Sequence, residues 1–182
     1  MNSPTSWIFS FLHFIFLAAV IILGPSVRGA DTEVPAASEL QYRKDGGSFL
    51  LVLKPGQKVI ESLIAFMDKE KLPGASITAI GAVKNADIAY YDIATKQYKR
   101  HIFEPSCEVV SFSGSLGYFN DKPVVHAHVA LAGPDYLVHG GHVFEAEVSL
   151  VLEVFITPTT QRITRQLNSE FPSLRTINLD AK

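Results

Sequence analysis

Apolar positions along this chain fall into blocks of different period, and each period points to a different element. From Trp7 to Leu23 the run is almost unbroken, interrupted only by Ser10 and His13. Gly24-Pro25-Ser26-Val27-Arg28-Gly29-Ala30 follows, a breaker and then small residues. This layout predicts a secretory signal over residues 1–29, with Val27 and Gly29 at −3 and −1 of a cut before Ala30. The first six residues hold no Lys or Arg. An uncleaved membrane anchor is therefore the alternative, since 17 residues just span a thin bilayer. In either case the remainder is expected outside the cytoplasm, secreted or periplasmic.

Residues 30–47 are polar and small, with Pro35 and Gly46-Gly47, and are expected to be a flexible lead-in. The folded domain is expected over residues 48–158. Phe49 to Leu53 predicts a buried strand, ended by Lys54-Pro55-Gly56. Val59, Ile60, Leu63, Ile64, Phe66 and Met67 then recur at helical spacing, and Pro73-Gly74 closes that helix. From Ala75 the period becomes that of strands: Ala75–Val83, Asp87–Ile93, Gln97–Phe103, Glu108–Phe112, Val124–Leu131 and Val143–Ile156. In the last of these, Val148, Leu150, Leu152, Val154 and Ile156 are expected to share one face. Residues 159–182 alternate weakly and read as a C-terminal extension that is a helix, a strand or a mobile arm. One helix and about seven mostly antiparallel strands imply an α+β sandwich.

The chain has 182 residues, 47% of them hydrophobic, enough for the core of one ordinary domain. Beyond residue 29 it carries 15 Lys+Arg against 18 Asp+Glu, a net charge of −3. A mildly acidic domain has no electrostatic footprint for a polyanion. Cys107 is the single cysteine and cannot close an intrachain disulfide. Flanking an apolar run, it is expected to be a half-buried structural thiol.

The candidate chemistry lies in the histidines. His13 belongs to the signal, and four of the other five fall within 17 residues: His126, His128, His139 and His142. On a strand, residues i and i+2 share a face and lie roughly 6.5–7 Å apart. His126 and His128 can therefore converge on one ion. A turn at Gly133-Pro134 can return the chain and bring His142 beside them, and Gly140-Gly141 allows close backbone approach or positive φ. Three neutral imidazoles suit Zn, and with less preference Fe, Mn, Ni or Cu, and leave one position open. The alternative is a pair of hydrogen-bonded histidines on a half-buried face. His139 is expected to be a neighbour and not a ligand, and His101 a solvated strand residue in Lys99-Arg100-His101.

Several segments from Gly47 to Ile156 resemble the PPC domain, the "plants and prokaryotes conserved" family. They are Leu53-Lys54-Pro55-Gly56, Ile80-Gly81-Ala82-Val83, Tyr90-Tyr91-Asp92 and Glu108-Val109-Val110-Ser111-Phe112-Ser113-Gly114. The more specific ones are Val125-His126-Ala127-His128-Val129 and Gly140-Gly141-His142-Val143. The resemblance implies a PPC-like fold with an antiparallel sheet, and a homotrimer as in prokaryotic members. It also implies a metal held by the two-His strand and the Gly-Gly-His histidine, which map onto His126, His128 and His142. That trimer would place the site near a subunit boundary.

Three functions compete. An open three-His site in an enzyme or small-ligand binder lowers the pKa of a bound water, with a carboxylate as proton partner. Glu104, Glu108 and Glu145 are the candidates, each also readable as a surface charge; Glu145 needs a bulge to reach the site's face. DNA binding is often assigned to the family. Plant members use an Arg-Gly-Arg-Pro hook for it, whereas here the one Arg-Gly is Arg28-Gly29. Third, the metal is purely structural in a trimeric module. Ser113-Gly114-Ser115-Leu116-Gly117 does not match Gly-x-Ser-x-Gly, and no Walker or dinucleotide fingerprint occurs.

Overall fold

The computed structural model describes residues 39–181. The expected signal and the first part of the lead-in lie outside the described residues. Among the described residues, no helix is long and apolar enough to cross a membrane.

The elements run β1 (Gln41–Asp45), β2 (Ser48–Leu53), α1 (Val59–Glu70), β3 (Ala75–Asp92), β4 (Gln97–Phe103), β5 (Cys107–Phe119), β6 (Lys122–Ala132), β7 (Val138–Pro158), β8 (Arg165–Leu167) and β9 (Arg175–Ile177). Seven strands form one antiparallel sheet in the order β1-β2-β7-β6-β5-β3-β4. β7 also pairs with β3, so β7, β6, β5 and β3 close on themselves. The expected sandwich is thus a sheet curled toward a barrel, which removes free edges at its centre.

Residues 41–47, expected to be flexible, form a hairpin with β2 from Gln41↔Val52 to Asp45↔Ser48. The reason is the ring of Tyr42, 5.0 Å from Phe66 edge-on, with its hydroxyl donating to Glu70. Arg43, Lys44 and Asp45 remain exposed, as suits the edge of a sheet. The two expected strands between Ala75 and Ile93 are a single strand, β3, bent by register shifts near Gly81 and between Lys84 and Ile88.

Helix α1 packs its stripe inward: Leu63, Phe66 and Met67 are fully buried against Leu53, Val148, Leu152 and Ile156 of the sheet. Each such side chain contributes about 1.5–3 kcal/mol of hydrophobic stabilisation. Lys71, in the left-handed region at φ 53, ends the helix and donates its N–H to the Met67 carbonyl. Leu150 departs from expectation and is 65% exposed. Gly81 pairs with Leu152 and Val83 with Val148, so three residues of β7 oppose Ala82 alone and the inward parity breaks there.

The C-terminal extension is ordered strand and loop. Thr159 donates its N–H to the Gly74 carbonyl, Ile163 to Pro73, and Tyr118 to Ile163. β8 and β9 then form a small hairpin of their own.

Candidate metal centre

The three histidines come together on the face of β6 and β7 opposite the one that sends Ala127, Val129 and Val143 into the core. His126 and His128 project from one face of β6, and His142 of β7 is the direct partner of His128. Their ring centroids form a near-equilateral triangle: 5.1 Å for His126–His142, 5.5 Å for His126–His128 and 5.6 Å for His128–His142. One ligand nitrogen from each lies within 4.8 Å of the other two.

The backbone permits this through close approach, not positive φ. A Cβ on Gly141 would fall 2.5 Å from the Ala89 carbonyl oxygen, so only glycine lets β7 lie this close to β3. The neighbouring pair Ala89↔His142 holds that contact. Tyr98 of β4 stacks on His142 at 4.9 Å, and Phe144 meets the same imidazole edge-on at 5.1 Å.

Burial and neighbouring charge favour the neutral form of two of the rings. His126 is pushed down to about 4 by burial, then by the positive charge of Arg165 and by His128. His142 is likewise pushed down to about 4 by burial, with His126, His128 and Arg165 adding to it. Neutral imidazoles are the ligating form. The Nδ1 of His142 is buried without a hydrogen-bond partner. A buried polar nitrogen left this way carries a desolvation cost that an ion or ligand would remove. The donor set and this orphaned atom fit a divalent cation.

The triangle opens into a cavity of about 740 Å³, whose walls include Tyr98, Val124, Phe144 and Leu174. Among the polar residues that join the histidines there are Ser115, partner of His126 on β5, and Arg165 from the C-terminal extension. Neither was expected from sequence. Ser115 is placed by β5–β6 register, and Arg165 comes from a segment whose weak alternation specified no element.

The three glutamates are elsewhere. Glu104 and Glu108 are exposed and line no part of the cavity. The register does shift at Phe144, between Asp87↔Glu145 and Ile88↔Val143, but Phe144 faces the cavity and Glu145 faces away. The Glu145 carboxylate accepts the N–H groups of Ile60 at 2.8 Å and Glu61 at 3.2 Å. It therefore caps α1, whose own N-cap residue Lys58 provides no side-chain hydrogen bond. Burial pushes its pKa up, against the pull of the backbone N–H groups it binds. His139 stays outside the triangle, its ring 5.2 Å from Phe103. His101 is exposed on β4. Cys107 is buried, donates weakly to the Pro105 carbonyl, and has its pKa raised by burial.

Comparison with known proteins agrees with this architecture. No curated protein matches the chain. Among solved structures, a metal-containing protein from Archaeoglobus fulgidus is 33% identical with a TM-score of 0.67, covering 77% of this chain and 96% of that one. A plant- and prokaryote-conserved protein from Pyrococcus horikoshii is 29% identical with a TM-score of 0.66, covering 75% and 94%. A candidate DNA-binding protein from Ralstonia eutropha is 26% identical with a TM-score of 0.70, covering 76% and 95%. The Plants and Prokaryotes Conserved (PCC) domain matches residues 40–160, from the first hairpin to just past β7. With the sheet, the helix and the His-x-His and Gly-Gly-His segments all inside that span, this chain belongs to the Plants and Prokaryotes Conserved domain family.

Proposed function

We propose that this protein is an exported metal-binding member of its family, holding one divalent cation, Zn first, on His126, His128 and His142. The observation that carries this reading is the convergence of three imidazole nitrogens within 4.8 Å of one another. Depression of His126 and His142 to about 4 adds to it, because protons then compete little for the ligand atoms at neutral pH. Three protein ligands leave a position open toward the cavity, as in ligand-binding or hydrolytic sites and unlike closed structural ones. When bound, such an ion supplies Lewis-acid polarisation of an oxygen ligand. The chain's own groups do the rest. Tyr98 and Phe144 fix the His142 ring and exclude water from its flank.

The test is metal content. Purified protein should carry stoichiometric metal, and the double variant His126→Ala/His128→Ala should carry none. Equal metal in the two would sink the reading. Chelation should remove the ion and leave a folded chain; unfolding on chelation would make the metal structural instead.

A homotrimer is part of the same proposal. Val52 and Ile80 flank Glu153 across β2, β7 and β3, and Phe155 stands in the next row, half exposed. Such an apolar outer stripe favours burial against another copy. DNA has less in its favour. The name of the Ralstonia structure points that way, yet beyond residue 29 this chain has a net charge of −3, which opposes binding to a polyanion.

A further inference from the structure

The extension beyond the family domain builds a wall of the three-His cavity, and that wall carries a buried charge with no counter-ion. Arg165 is 5% exposed. Its guanidinium donates to the Arg175 carbonyl at 2.9 Å and to the Ser115 hydroxyl at 2.7 Å. Its Nε is buried with no hydrogen-bond partner. Among the described residues, no carboxylate lies within ion-pair distance of it. A guanidinium stays protonated in a protein and offers five N–H donors in a rigid fork. Burying that charge unpaired is costly, so buried arginines are normally matched by an anion.

The fold makes a considerable effort to hold this residue in place. Ile163 is locked by hydrogen bonds to Pro73 and Tyr118. A Cβ on Gly117 would fall 2.8 Å from Ile163, so glycine is what lets the extension seat there. Arg162 pairs with Asp121 at 2.9 Å and lies 3.9 Å over the Tyr118 ring. Asn178 donates its N–H to the Thr164 carbonyl and closes the hairpin beside Arg165.

We propose that the C-terminal extension turns the three-His site into a receptor for a small organic acid, its carboxylate seated on Arg165 and a second oxygen donor directed at the open position of the metal. This rests on the metal reading above. Two features favour a carboxylate over a phosphate. One planar fork with donors still free matches two carboxylate oxygens, whereas a phosphate needs donors around three. Among the described residues, the N-terminus of the one long helix, a ready phosphate site, is already filled by Glu145. A cavity of about 740 Å³ with Val124, Phe144 and Leu174 in its walls suits a ligand with a short apolar flank.

The test uses the purified chain loaded with Co²⁺, with pyruvate, oxalate and inorganic phosphate as probes. Pyruvate or oxalate should bind saturably in calorimetry and shift the visible Co²⁺ spectrum. Arg165→Met should weaken that binding roughly tenfold or more, the loss of a charge-assisted hydrogen bond, with Co²⁺ content unchanged. Equal binding in wild type and variant, or no binding of either acid to the wild type, would overturn the proposal, as would preference for phosphate. If Arg165→Met does not fold, Arg165→Lys keeps the charge without the fork and should still bind more weakly; equal affinity would overturn the proposal. A wild type that takes up no Co²⁺ defeats the three-His reading separately. Calorimetry of the metal-free protein then decides the Arg165 subsite alone, and pyruvate binding insensitive to Arg165→Met would end it.

Discussion

His128 and His142 are direct partners across the β6–β7 ladder, their ring centroids 5.6 Å apart. His126 joins them by strand alternation, two residues before His128 on the same face. The site is therefore specified by one register. A slip of one residue between β6 and β7 would send His142 to the opposite side of the sheet.

That register depends on Gly141. In Gly141→Ala the new Cβ would press on the Ala89 carbonyl and force β7 away from β3. Such overpacking typically costs about 1–3 kcal/mol, and the expected outcome is weaker metal binding with the fold kept. Gly133→Ala is the control, its nearest contact being 3.5 Å away. Metal competition titrations on the two variants should differ sharply.

Acid should destabilise the metal-free protein through the site itself. His126 and His142 titrate near 4 when folded and near 6.5 when unfolded. Between those values the unfolded chain binds more protons, so stability rises with pH there. Their contribution is fully present above about 6.5 and is lost as pH falls toward 4. Melting temperatures from pH 7 to pH 4 should fall less steeply in His126→Gln/His142→Gln than in the wild type.

Glu145 should behave as a helix cap. Glu145→Ala leaves the Ile60 and Glu61 N–H groups unpaired and should cost about 1–2 kcal/mol in urea unfolding. Glu145→Gln retains an acceptor oxygen and should cost less. Metal content should be the same in both, because the Glu145 carboxylate is turned to the Ile60 and Glu61 N–H groups and away from the histidines.

The outer stripe makes a prediction about assembly. Phe155→Glu puts a charge beside the existing Glu153 row and should shift sedimentation from trimer toward monomer, with metal content measured on the same sample. An unchanged oligomer would remove β2, β7 and β3 from the interface.

Much of the fold was legible because its cues are local. The 3.6-residue stripe from Val59 to Met67 and the two-residue alternation in β6 and β7 need no distant partner to be read. The His-x-His pair was legible for the same reason, whereas Gly-Gly before His142 left open a close approach or a positive φ, and the structure shows the close approach. The first hairpin was missed because Gln41–Asp45 is an edge strand whose polar exterior looks like linker. Its order comes from Tyr42 reaching Phe66 and Glu70, contacts between residues far apart in sequence.

By itself, then, the amino-acid sequence determined the period of the helix and of the strands from β2 to β7, the acidic balance and the identity of the three histidines. Only the tertiary structure decided that Glu145 serves the helix, that Leu150 leaves the core at a bulge, and that Arg165 enters the histidine cavity. The physical reason is the same in each case. Alternation and spacing are properties of neighbouring residues, whereas the direction a side chain finally takes is set by register shifts and by strands that meet only when the sheet closes.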